Sequence, residues 1–193
     1  MKNNSGLAAV VAGLFVVAVY GAHRLDIRVR AQEEARALDQ TGRWPSLPRL
    51  LARQMIEKYG PPQAILADRL RWNSQRPWTR ISVFDAEASP LEQVVAYDGP
   101  AYKLEKSVLF PYGSRAYAFN GELAARSNGE ELNRLCLNLA DDIARGRRTP
   151  EDARRFYLRT IDLAVSGKSS PYMERLLFEV PPEETVPHPM AHF

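Results

Sequence analysis

The chain has 193 residues, of which 45% are hydrophobic and 25% are charged, so most of it can fold around a single core. A net charge of +3 without a basic stripe argues against a nucleic-acid partner. Cys136 is the single cysteine, which excludes an internal disulfide, and a metal cluster would need other ligands beside it.

The amino-terminal region contains an apolar stretch, GLAAVVAGLFVVAVYG, that starts at Gly6. As a helix, residues 6–22 would extend about 25 Å at about 1.5 Å per residue, close to the bilayer core of about 30 Å. The stretch is apolar on every side, unlike an amphipathic core helix. It predicts a transmembrane anchor at residues 1–23, with the lipid bilayer contacted through residues 6–22. A cleaved signal peptide is the alternative, because Lys2 precedes the stretch and a weak cleavage site lies near its end.

A helical stalk or linker is predicted over residues 24–45. Its first part contains no Gly or Pro and carries an Asp26/Arg30 pair at i,i+4. The globular domain is predicted over residues 46–180, and it begins with a helix capped by Ser46 and ended by Gly60. The apolar face of this helix is formed by Leu47, Leu50, Leu51, Met55 and Tyr59.

The middle of the chain has the alternating pattern of strands. DRLRWN and PWTRISVFD predict a hairpin joined by residues 73–77, and LEQVVAYDGP predicts a third strand. RAYAFNGELAAR predicts a second hairpin, because Asn-Gly favours a type I′ turn. Residues 101–110 are ambiguous and favour a short helix.

Two helices are predicted to close the domain. Ser127 and Glu130 match a capping box before the first helix, and Thr149 followed by Pro150 predicts the start of the second. The proline-rich tail, residues 181–193, is predicted to be extended. Together these patterns predict an α+β fold: a single N-terminal transmembrane helix and stalk, then a small antiparallel sheet of three to five strands packed against three or four helices.

Several segments resemble one family of uncharacterised bacterial proteins. They are EKYGPP, LRWNSQRPW, GELAARSNGEELNRLCLNLADDIARGRRTPEDARRFY and GKSSPY, and the resemblance covers residues 53–180. It implies a bacterial source and a single domain behind an amino-terminal hydrophobic segment. The family has no known activity, so the resemblance transfers no catalytic residue.

The predicted location is therefore the bacterial inner membrane, with a single pass. Arginines that follow the apolar stretch favour a cytoplasmic domain by the positive-inside rule. A short amino-terminal anchor before a large domain favours export instead. We predict a periplasmic domain and retain the cytoplasmic alternative.

The globular region lacks the usual groups of catalysis. His23, His188 and His192 all lie outside it, which removes the commonest general base and metal ligand. SGKSS lacks the first glycine of a phosphate loop, and Cys136 lies on an apolar helix face, as a buried structural thiol does. Adjacent acids such as Asp141 and Asp142 are interpreted as solvated. We predict no catalytic residue, no cofactor and no metal.

Two groups of residues are candidates for partner contacts. Tryptophans and an arginine flank the first hairpin loop, and arginines concentrate around the last helix–helix joint; both residue types are common interface anchors. The tail ends in apolar side chains. The predicted partner-binding residues are Trp72, Arg76, Trp78, Arg147, Arg148, Arg154, Arg155, Met190 and Phe193.

These observations favour a non-catalytic, membrane-anchored accessory or structural subunit. It would dock on or bridge a larger bacterial membrane protein complex, such as a respiratory or photosynthetic one, with other membrane protein subunits as partners. A membrane-tethered extracytoplasmic ligand-binding or sensing module is the alternative. An enzyme that uses carboxylates or a cofactor held by another subunit is a third hypothesis.

Overall fold

The computed structural model describes residues 27–104 and 107–182, and the strands form a seven-stranded sheet. The strands are β1 Ala64–Leu66, β2 Arg69–Gln75, β3 Trp78–Phe84, β4 Leu91–Ala96, β5 Val108–Leu109, β6 Arg115–Phe119 and β7 Glu122–Ser127. The helices are α1 (residues 27–41), α2 Ser46–Tyr59, α3 Glu130–Ala144, α4 Pro150–Val165 and the short α5 Pro171–Glu174. Two 3₁₀ turns lie at Ala101–Lys103 and Pro111–Gly113.

The sheet is antiparallel throughout, in the order β1-β2-β3-β4-β7-β6-β5. Both predicted hairpins are confirmed: β2 pairs with β3, and β6 pairs with β7 across Asn120-Gly121. Both turn residues have positive φ, as a type I′ turn requires. The pairing of β4 with β7 then joins the two halves of the sheet.

One face of the sheet, the inner face, is covered by helices. α2 packs against β2 and β3, whereas α3 packs against β4, β6 and β7. Alternate strand residues such as Leu70, Trp72 and Ile81 point into this core and are fully buried. α4 and α5 pack in turn on α3. Ala37 and Trp44, from the region predicted as a stalk, belong to the same core.

Helix boundaries follow local capping chemistry only in part. Thr149 caps α4 as predicted, since its hydroxyl accepts a hydrogen bond from the Asp152 backbone N–H at 3.1 Å. The predicted capping box before α3 is wrong. Ser127 is the last residue of β7, and its hydroxyl donates to the buried Asn133 side chain at 2.7 Å. The N-cap of α3 is Gly129, without a side-chain cap.

The predicted fold class needs two corrections. The sheet is larger than the predicted three to five strands, because β1 and β5 have only three and two residues and show no readable alternation. The short helix predicted over residues 101–110 is replaced by a 3₁₀ turn and β5.

The second correction concerns the predicted transmembrane helix. Within residues 27–104 and 107–182, no helix combines the length and the apolar character needed to cross a bilayer. The predicted anchor at residues 1–23 lies outside the described residues.

Candidate binding surface

The opposite side of the sheet, the outer face, assembles five arginines from four strands. They are Arg69 and Arg71 on β2, Arg80 on β3, Arg115 on β6 and Arg126 on β7. Residues directly opposite each other in a ladder share a face, and the pairs run Arg71 to Ser82, Ser82 to Glu92, Glu92 to Arg126 and Arg126 to Arg115. One row of side chains therefore crosses five strands.

The outer face is open to solvent at its long side chains. Its arginines and aromatic rings are partly exposed, while the small Ser82, Val94 and Ala124 between them are buried. Val94 and Ala124 do not belong to the cluster that forms the inner core. The long side chains therefore stand above a floor of small residues.

Aromatic rings hold several of these arginines in place. The Arg69 and Arg126 guanidiniums lie 4.6 and 4.0 Å from the centre of the Phe84 ring. Arg126 Nε also donates to the Ser89 carbonyl oxygen at 2.7 Å. Guanidinium stacking on a ring orients the charge without neutralising it. Arg126 is thus preorganised and still carries its charge.

Two carboxylates share the outer face, and both are engaged. Glu92 accepts a hydrogen bond from the Tyr117 hydroxyl. Glu122 accepts from the Thr79 hydroxyl at 2.9 Å and lies 3.6 Å from Arg80. Asp68, which directly precedes β2, also binds Arg69 through two hydrogen bonds, so five arginines against three carboxylates leave a surplus of two positive charges on this surface.

The arginines at the centre of the outer face lie in an electrostatic environment that disfavours their positive charge. Burial lowers the pKa of Arg126, and the positive charge of Arg115 lowers it further. Arg71 Nε is buried and has no hydrogen-bond partner among the described residues. Unneutralised, partly desolvated guanidiniums are the groups that an anionic partner would satisfy.

A second polar cluster lies where α3 ends, and it contradicts the interpretation of Asp141 and Asp142 as solvated acids. The two residues are only 1% and 5% exposed. All four carboxylate oxygens accept hydrogen bonds, from Tyr97, Arg145, Arg147, Arg148 and Tyr172. Burial and the nearby Asp141 carboxylate raise the pKa of Tyr97. The cluster borders a cleft of about 630 Å³, yet its carboxylates are fully used in holding the fold together.

The structure places the predicted partner-binding tryptophans in the core. Trp72 and Trp78 are 0% and 1% exposed, so neither side chain offers a surface to a partner. Their indole N–H groups donate to the Gly60 carbonyl oxygen at 2.8 Å and to the Tyr59 hydroxyl at 3.1 Å. Only Arg76 of this predicted group is exposed. The alternating pattern placed Trp72 on one strand face but could not show that helices cover that face.

The other predicted contacts are dispersed. Arg147 and Arg148 bind the buried Asp141 and Asp142, as described above. Arg154 donates to the Leu109 carbonyl oxygen at 3.0 Å, and Arg155 pairs with Asp152 on the exposed side of α4. Met190 and Phe193 lie outside the described residues.

Cys136 is fully buried, and burial raises the pKa of its thiol, which opposes thiolate formation. In the part of the chain that the structure describes, no group of three or more His, Cys, Asp or Glu side chains is arranged to hold a metal ion.

Comparison of the chain with protein-family models, curated proteins and solved structures finds no match.

Proposed function

We propose that this chain is a non-catalytic accessory protein that docks on a larger protein assembly through the outer face of its sheet. One observation carries the proposal: five arginines from distant parts of the sequence converge on one solvent-facing surface with a surplus of positive charge. Arginine is enriched at protein interfaces because its planar fork binds carboxylates through two hydrogen bonds.

The other polar clusters are occupied by contacts that stabilise the fold. This supports a binding role for the outer face, whose charges are not all paired. The Asp141–Asp142 cluster is internally saturated with hydrogen bonds, and Glu130 is bonded by Lys58, Tyr59 and Arg134. The outer face differs, since Arg71 and Arg115 have no carboxylate partner among the described residues. The placement of the chain at a membrane stays a prediction from the sequence.

The test compares two matched charge reversals in the native host. The outer-face variant carries Arg71→Glu and Arg115→Glu, and the control variant carries Arg154→Glu and Arg155→Glu on α4. The same change in net charge is thereby made on two different surfaces. Proteins that co-purify with the tagged full chain are quantified after mild cross-linking.

We expect the recovery of a specific set of partner proteins to fall at least tenfold with the outer-face variant. The control variant should recover the same set at the parent level. Circular dichroism must show that both variants are folded. Equal recovery of every partner by both variants would refute docking through the outer face. Loss in the α4 variant alone would move the docking site to the predicted arginines around the last helix–helix joint.

A further inference from the structure

Building on the proposed docking role of the outer face, we infer that its occupant is an extended acidic segment of a partner protein. The segment lies across the strands, with its carboxylates bound by Arg71, Arg115 and Arg126. The docking role identifies the surface that is used, and the acidic segment adds the chemistry of the partner that binds there.

The first argument is a repulsion that Glu92, opposite Arg126 on β4, only partly offsets. Arg115 and Arg126 lie directly opposite each other on β6 and β7, so their Cβ atoms are about 5 Å apart. Like charges in this position are destabilising, and the positive charge of Arg115 lowers the pKa of Arg126. A carboxylate placed between the two guanidiniums would convert the repulsion into two charge-assisted hydrogen bonds.

The second argument is an unused donor at the other end of the row. Arg71 Nε is buried and makes no hydrogen bond within the described residues. Its neighbour across the ladder, Ser82, is small and buried, and it carries no charge that could satisfy this donor. The row therefore has cationic groups at both ends, with Ser82 and Glu92 between them.

The third argument concerns length. Arg71 on β2 and Arg115 on β6 are separated by four strand spacings in the sheet order. At about 4.8 Å per spacing, the row is about 19 Å long. An extended peptide advances about 3.3 Å per residue, so roughly six residues span the row. Side chains of such a peptide alternate between its two sides, so that acidic residues at every second position would face the arginines.

The charge pattern favours an acidic peptide over a nucleic acid. Single-stranded nucleic acids use free aromatic rings for base stacking. Here Phe84 is covered by the guanidiniums of Arg69 and Arg126, and Arg80 lies 5.7 Å from the centre of the Phe119 ring. Glu92 lies within the row, and it would repel a uniformly anionic backbone. A peptide can place a neutral or cationic residue opposite that carboxylate.

The experiment measures binding of a fluorescent ten-residue peptide of alternating Ser and Glu to the purified full chain by anisotropy. We expect saturable binding that weakens as salt is raised, because the contacts are ionic. Arg71→Gln with Arg115→Gln should reduce the affinity at least tenfold. The matched control, Arg154→Gln with Arg155→Gln, should stay within twofold of the parent. Arg71→Gln alone is the second variant if the double variant does not fold.

Three further outcomes are informative. Binding that the α4 control reduces as much as the outer-face variant does would overturn the assignment. A fluorescent single-stranded oligonucleotide serves as a second probe. If it binds more tightly than the peptide, and the outer-face variant no longer binds it, the occupant is a nucleic acid and not an acidic peptide. Absence of peptide binding, with partners still lost from the Arg71→Glu/Arg115→Glu chain, would refute the acidic segment and leave the docking role intact.

Discussion

The Tyr97 hydroxyl donates a hydrogen bond of 2.8 Å to Asp141 Oδ1, which ties the end of β4 to the last turn of α3. Arg145 and Arg147 bind the same carboxylate from the loop that follows the helix. A helix C-terminus is the negative end of its dipole, where carboxylates are unfavourable and cations are favourable. The arginines therefore compensate the placement of Asp141, and the cluster depends on its charge.

Asp141→Asn should destabilise the chain by about 2 kcal/mol in urea unfolding. Breaking one side of a fully buried ion pair costs about 3–5 kcal/mol, and the effect here is smaller because Arg145 and Arg147 are partly exposed. The control is Asp162→Asn on the exposed side of α4, where we expect a change below about 0.5 kcal/mol. Equal effects of the two substitutions would show that the cluster contributes nothing specific.

Trp78→Ala should lower the free energy of unfolding of the isolated chain by about 3–5 kcal/mol, because it removes a fully buried indole and its hydrogen bond to Tyr59. Thermal denaturation without any partner measures the effect. Tyr102→Ala is the control, since that side chain is 85% exposed. If the Trp78→Ala chain is as stable as the control, Trp78 is a surface contact and not a core residue.

Alkaline pH should weaken the fold through Tyr157. Burial raises the pKa of its hydroxyl to about 12, from an ordinary value of 10.0. The unfolded chain loses this proton first, so the contribution is complete below pH 10 and is lost as the pH rises towards 12. We expect a loss of about 1.4 kcal/mol per pH unit in that window from this group. Urea unfolding of Tyr157→Phe between pH 9 and pH 12 should show a shallower slope; an unchanged slope would assign the pH dependence to other tyrosines.

Arg115→Gln should raise stability while weakening acidic-peptide binding. It removes a like charge opposite Arg126, which is worth about 0.2–1 kcal/mol at low salt. The gain should shrink at 1 M salt, where the Debye length is about 3 Å. Thermal melts at the two salt concentrations measure it, with Arg159→Gln on the exposed side of α4 as the control. A loss of stability at low salt would mean that Arg115 is held by favourable contacts instead of being strained.

The local elements of this fold were largely predictable from the sequence, for a physical reason. Alternation in DRLRWN and PWTRISVFD, the Asn-Gly turn and the Thr149 cap are determined by neighbours along the chain, and each was found where it was predicted. β1 and β5 were missed because two or three residues cannot show a period. The capping box at Ser127 failed because pairing with Leu91 of β4 extends β7 through that residue.

The surface that carries the proposed function was decided by the tertiary structure alone. The alternating pattern placed Arg69 and Arg71 on one face of β2 and Trp72 on the other. No local rule, however, gives the strand order that brings β6 and β7 beside β4. Burial of Trp72 and pairing of Arg115 with Arg126 depend on contacts between residues far apart in the chain. The sequence by itself therefore determined which segments form strands and helices, whereas the order of strand pairing determined which side chains became core and which became a binding surface.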